Sequence, residues 1–111
     1  MHITTPLADE LGRYLDLATQ RMQLIAGNMA NVDTPGYRTQ DIDFQSEFQN
    51  AAGPPRTIQV DGLQVKNDGN DVSLDRESRL LAENALRFQL ASQLLKTQIQ
   101  LVRSAIQEKT S

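Results

Sequence analysis

Apolar and aromatic residues recur near the start of the chain at Leu7, Leu11, Tyr14, Ala18, Met22, Ile25 and Met29, in steps of three and four. That spacing returns to one side of an α-helix and predicts a helix over residues 6–30. Thr5 stands where a hydroxyl can cap the first turn. Pro6 suits the first helical position, whose N–H has no intrahelical partner to lose. At 1.5 Å per residue such a helix is about 37 Å long. Leu15, Leu17 and Leu24 fall outside the stripe, so the helix carries a second apolar strip that one partner helix would not cover.

The end of the chain repeats the pattern. Leu81, Ala85, Phe88, Ser92, Leu95, Ile99, Val102 and Ile106 alternate steps of four and three, with Ser92 the one interruption. A helix over 75–109 follows, about 50 Å long, with Asp75 as the expected cap at its positive end. A second strip of Leu80, Leu86, Leu90, Ala91, Leu94, Leu101 and Ala105 runs beside the first. Two apolar lines on each helix point to a bundle or a wall built from several chains, because a two-stranded seam needs only one.

Residues 31–74 hold four of the six glycines and three of the four prolines. One ordered piece is expected there. Ile58 and Val60, then Asp61-Gly62, then Leu63 and Val65 read as a two-residue type I′ hairpin, with Val60 opposite Leu63 and Ile58 opposite Val65. The sequence thus predicts a mainly α chain, with long terminal helices joined by an irregular segment that contains a short β-hairpin. A single domain over 1–111 is the expected organisation.

Composition removes most chemistry. The 111 residues include no cysteine, no tryptophan and one histidine. Disulfides, thiolate nucleophiles and cysteine zinc sites are excluded, and His2 has nothing beside it to orient an imidazole. Asp9 and Glu10 interrupt the first apolar residues, so no cleaved signal peptide is expected, and no run approaches the roughly 18 apolar residues of a membrane span. The net charge of −3 conceals an acidic middle of −5 over residues 32–75 and a basic end of +3 over 76–111. The basic residues are spaced singly and lack interleaved aromatics, which argues against nucleic acid. Asp68-Gly69-Asn70-Asp71 fails the EF-hand spacing, since Val72 and Arg79 would fall at its fifth and twelfth positions. It reads as an acidic turn before a helix. Asp41 and Asp43 read as solvated acids on a flexible loop, without the apolar setting that raises a catalytic carboxyl. No catalytic, cofactor-binding or metal-binding residue emerges, and the chain is not expected to be an enzyme.

The informative stretch runs from Ala26 to Tyr37. Pro35 pushes Thr34 out of the helical region, and Pro35-Gly36 matches the central positions of a type II turn. Asn31 suits a left-handed residue after the helix, Asn28 can offer its amide to the freed carbonyls, and Tyr37 lands near the helix end. Ala30-Asn31 and Thr34-Pro35-Gly36-Tyr37 match a signature A-N-x-x-T-P-G-Y, and by them the chain resembles flagellar rod, hook and hook-associated proteins. Arg21 to Ala26, Asp41-Ile42-Asp43-Phe44 and Gly69 to Glu77 narrow the resemblance to the FlgB-like proximal rod proteins. Val72 to Glu77 argues against the FlgC-like branch.

The resemblance implies a structural rod subunit whose terminal helices pair as an antiparallel coiled coil in the inner wall of a helical tube. The turn residues would be Ala26, Asn28, Ala30, Asn31, Thr34, Pro35, Gly36 and Tyr37. Leu11, Ala18, Met22, Ile25, Met29, Leu81, Phe88, Leu95, Ile99, Val102 and Ile106 would form the pairing stripe. Leu90, Leu94 and Leu101 would meet neighbouring subunits. Expected partners are further copies, FlgC-like and other rod proteins, and the adaptor and export gate at the rod base, without nucleic acid or direct membrane insertion. Export through the flagellar type III apparatus to a periplasmic rod is implied as well. The alternative is a soluble coiled-coil adaptor or secretion chaperone.

Overall fold

The structure, a computed structural model, describes residues 5–50 and 53–110; His2 lies outside them. Helix α1 spans Pro6–Ala30 and helix α3 Leu74–Thr110. Between them come strand β1 (Gln40–Ile42), the short helix α2 (Phe44–Gln49) and strand β2 (Thr57–Gln59). The described residues form a rod of 69 × 26 × 18 Å.

Both long helices begin at polar caps. Thr5 Oγ1 accepts the Ala8 amide at 3.1 Å, as the sequence predicts. At α3 the cap is Ser73, whose hydroxyl oxygen accepts the Arg76 amide at 3.2 Å. Asp75, the expected cap, instead lies inside the first turn, where its charge still suits the positive end of the helix dipole.

The two helices pack side by side and antiparallel. Asn84 Nδ2 donates to the Ala18 carbonyl at 2.9 Å, and Gln98 Nε2 donates to Thr5 Oγ1 at 3.1 Å. On α1 the pairing stripe is where the periodicity puts it: Ala18 and Ile25 are each 1% exposed, and Leu11, Met22 and Met29 are half-buried. On α3 only half of the expected stripe faces α1. Leu81, Leu95 and Val102 are half-buried, whereas Phe88, Ile99 and Ile106 are 39–42% exposed. The companion line of the seam consists of Glu77, Asn84, Ala91 and Gln98, seven residues apart, the first three buried. Polar residues on a buried line are invisible to a search for apolar periodicity, and Ala91, expected in the second strip, lies on the seam instead. Ile106 also lies beyond Thr5 in this register, past the last described residue of α1.

The second strip of α1 is covered partly from within the chain. Asp43 caps α2 by accepting the Ser46 amide at 3.3 Å, and Phe44 and Phe48, four residues apart, lie on one face. Their rings meet Tyr14 of α1 edge-on at centroid distances of 4.9 and 5.9 Å, and the Arg13 guanidinium lies 5.1 Å from the Phe48 centroid. Leu17 is buried beside this cluster, in a cleft shared with Glu47, Asn50 and Pro55.

The expected hairpin does not form. β2 pairs antiparallel with β1, Gln40 opposite Gln59 and Ile42 opposite Thr57, so the short sheet joins segments far apart in sequence. Gly62 has φ +78°, but Asp61 has no positive φ, and a type I′ turn needs both. A lone hairpin is marginal in water, whereas β1 rests against α1.

Ile25→Ala should lower the unfolding free energy by about 2–4 kcal/mol, the range for a buried isoleucine truncated to alanine. Leu94→Ala, on an exposed face, should change it by less than about 0.5 kcal/mol. Urea melts of the two variants test the pair.

Candidate functional site

The signature residues lie where the end of α1 meets the start of α3. Thr34 to Tyr37 form the expected type II turn: the Tyr37 amide donates to the Thr34 carbonyl at 3.2 Å, and Gly36 has φ +76°. The turn packs on a second one. The Gly36 amide donates to the Asp68 carbonyl at 2.9 Å. Gly69 has φ +86°, and a Cβ there would lie 3.4 Å from Gly36 Cα.

Asn70 and Asp71 then tie the segment before α3 to the segment after α1. Asn70, fully buried, donates through Nδ2 to the Asn31 and Thr34 carbonyls, both at 2.8 Å. Its Oδ1 accepts the Val72 amide at 2.8 Å. Asp71 Oδ1 accepts the Thr39 amide at 2.6 Å and the Thr39 hydroxyl at 2.8 Å, and Oδ2 pairs with Arg38 at 3.3 Å. These bonds bridge more than thirty residues of chain.

Asn28 performs the same task from α1. Its Nδ2 donates to the Gln40 carbonyl at 2.8 Å, while its Oδ1 accepts the Gln40 amide at 3.0 Å and the Tyr37 hydroxyl at 3.1 Å. A primary amide presents one donor and one acceptor side by side, so Asn28 holds β1 much as a neighbouring strand would. This corrects the expectation that its amide serves the freed helix carbonyls. Asn31 does that, through Nδ2 to the Gly27 carbonyl at 2.8 Å. Asn31 has φ −105° and is not left-handed; the chain leaves the helix through further turns, with the Val32 amide on Met29 and the Thr34 amide on Asn31.

An ionic layer lies beside this clasp. Arg21 holds Asp41 with two bonds of 3.1 Å, and Arg76 approaches the same carboxylate at 3.6 Å while gripping Glu77 at 2.8 Å. Asp41 is therefore buried and paired, not a solvated loop acid, and Asp43 is the α2 cap. Glu77 is fully buried, and its Oε2 has no hydrogen-bond partner among the described residues. Burial first, and the Glu77 charge second, push the Tyr37 hydroxyl above its ordinary pKa of 10.0.

Of the other signature residues, Ala26, Ala30, Thr34 and Pro35 are exposed. The clasp turns its polar groups on one another, so what it can do is mechanical: it holds two helix ends and the sheet in one geometry. The bonding roles of its partners Arg21, Thr39, Asp71, Arg76 and Glu77 escape sequence reasoning, because nothing local marks a bond across tens of residues. A local signal did exist at Asp68 and Asn70, whose side chains accept backbone amides two residues on, a habit of these residue types. At the far end of α3, Leu90, Leu94 and Leu101 are 57–61% exposed, and the first two edge a shallow apolar groove with Leu11, Tyr14, Arg87 and Ala91.

Asn70→Ala should cost about 2–4 kcal/mol, because the Asn31 and Thr34 carbonyls and the Val72 amide lose their shared partner. Gly36→Val should be strongly destabilising at positive φ. Gly27→Ala should stabilise by about 0.5–1 kcal/mol, since its Cβ would meet only the Tyr37 hydroxyl at 4.0 Å. Thermal melts rank the three. Because the folded Tyr37 binds its proton more tightly than the unfolded one, its contribution is complete below pH 10 and falls as pH rises toward the folded pKa. Tyr37→Phe should flatten the alkaline limb of a stability–pH curve.

No protein-family model matches the chain. Individual relatives do. It is 33% identical to the flagellar basal body rod protein FlgB of Yersinia ruckeri, over 85% of this chain and 88% of the relative. It is 32% identical to FlgB of Salmonella typhimurium, over 84% and 87% of the two chains. FlgB of Borrelia hermsii matches at 27% over 81% of this chain. Identity above 30% along more than four-fifths of both chains, carried by a sequence whose turn signature folds into one hydrogen-bonded clasp, places it: the chain belongs to the FlgB family of flagellar basal body rod proteins.

Proposed function

We propose that the chain is a proximal rod subunit whose clasp sets the geometry of the helix pair and whose uncovered α3 leucines join it to neighbouring subunits. Family membership makes it a structural subunit of the basal body rod rather than an enzyme, and implies assembly with rod proteins. The partners we infer are further copies, FlgC-like and other rod proteins, and the adaptor and export gate at the rod base. We also infer a periplasmic position reached through the flagellar type III apparatus. Among the described residues, no helix is long and apolar enough to cross a membrane.

The observation that carries this reading is the unequal covering of the two helices. α1 covers most of its apolar side chains within the chain, against α3 on one side and α2 on another, and leaves only Leu7 exposed among its leucines. α3 leaves Leu86, Leu90, Leu94 and Leu101 open along one side, a larger apolar line than isolated surface leucines make. An adaptor or secretion chaperone would also carry an apolar face, but not the rod family's turn signature and the matching sequence on both sides of it.

Two adjacent leucines separate the roles. Leu95 is half-buried in the α1 seam and Leu94 is exposed. Leu94→Asp should leave the melting temperature of the isolated chain unchanged and abolish swarming in soft agar, because the charge is buried only on assembly. Leu95→Asp should lower both. Normal swarming by cells carrying Leu94→Asp would count against the leucine line as an intersubunit surface.

A further inference from the structure

Leu63, Gln64 and Val65 lie outside any helix or strand, between the bend at Gly62 and the turn that begins at Lys66. Among the described residues none of the three has a backbone hydrogen-bond partner, although their alternating apolar and polar side chains have the pattern of a strand. Val65 is 46% exposed. A few residues earlier, β2 is paired with β1 on one side only, all three of its residues are exposed, and Ile58 is 47% so. The chain therefore carries both an unpaired strand segment and an open strand edge, each with unused amides and carbonyls.

Charge and side-chain pattern select one alignment of the two. Set parallel with an offset of five, Leu63 lies beside Ile58, Gln64 beside Gln59 and Val65 beside Val60. Asp61 then meets Arg56 at one end, and Lys66 meets Asp61 at the other. Opposite charges close both ends, and apolar residues neighbour apolar ones. Set antiparallel about the same centre, Lys66 falls toward Arg56 and the two Asp61 residues approach each other, which is unfavourable. Among the described residues neither Asp61 nor Lys66 forms an ion pair, and Arg56, paired with Glu47 at 3.4 Å, keeps a side chain 77% exposed.

The parallel alignment cannot form within one molecule. Parallel neighbours need a crossover of a dozen or more residues, and only three residues separate Gln59 from Leu63. We propose that residues 63–65 of one copy add as a parallel strand to the β2 edge of the next. Each copy gives a segment through one surface and receives one through another. Such a contact is heterologous, the kind that builds an open helical assembly when its rotation does not close a ring. The inference rests on the rod-subunit reading and names one surface by which copies meet.

The test uses full-length chains in rods isolated from cells. A Gln59→Cys/Gln64→Cys double variant, both positions exposed, should give disulfide-linked dimers and higher oligomers on mild oxidation of the rods. Neighbouring strands hold Cα atoms about 4.8 Å apart, within disulfide range. Each single variant should give none. Ile58→Cys/Leu63→Cys should cross-link as well, and Val60→Cys/Leu63→Cys should not. Cross-linking of that last pair alone would reverse the strand direction and overturn the alignment. Rods that assemble from the double variant without linked oligomers would overturn the strand addition while leaving the rod-subunit reading intact. Absence of even the unsubstituted chain from isolated rods would overturn that reading, and the strand addition with it.

Discussion

The structure depends on one constraint: a polar side chain withdrawn from water must find partners inside the protein. Asn70 and Asp71 are both buried, and each meets that requirement by bonding a segment more than thirty residues away. Remove those bonds and nothing fixes how the start of α3 sits on the end of α1. Asn28 extends the same logic to β1, so the short sheet, the turn and both helix ends share one hydrogen-bonded unit. Apolar packing alone would tolerate several arrangements, because it is non-directional. Hydrogen bonds with defined donors and acceptors accept far fewer.

From that fixed end the helix pair runs outward, and its large apolar side chains become more exposed. Near the clasp, Ile25, Ile42 and Val72 are buried. Farther along, the buried or half-buried line holds Asn84, Ala91 and Gln98, and the large side chains Phe88, Ile99 and Ile106 are exposed. The molecule is therefore braced at one end and open-sided at the other. Assembly with rod proteins gives that gradient a use, since surface left uncovered in one chain is what a neighbour can cover.

Much of this was legible in advance, and the physical reason is consistent. A helix repeats its geometry every few residues, so the apolar steps of three and four placed α1 and α3 within a residue of their observed ends. Thr5 and Pro6 mark the first start because capping is local. The Thr34 to Tyr37 turn was equally readable, since proline fixes one φ and glycine permits a positive one. The seam of α3 was only half readable: Glu77, Asn84 and Gln98 lie on it without being apolar. Helix α2 went unseen because six residues are too few for periodicity to register.

What the residues decided by themselves was the class of the protein: two long helices, a tight turn between them, no chemistry of catalysis, and a signature shared with the rod family. Tertiary structure alone decided the rest. β2 paired with β1 rather than with the segment after Gly62, Asp41 became a buried ion-pair partner, and Asn28 reached across to Gln40 instead of closing its own helix. Each outcome turns on which groups three-dimensional packing brings within hydrogen-bonding distance. That information lies in contacts between distant parts of the chain, where no local spacing records it.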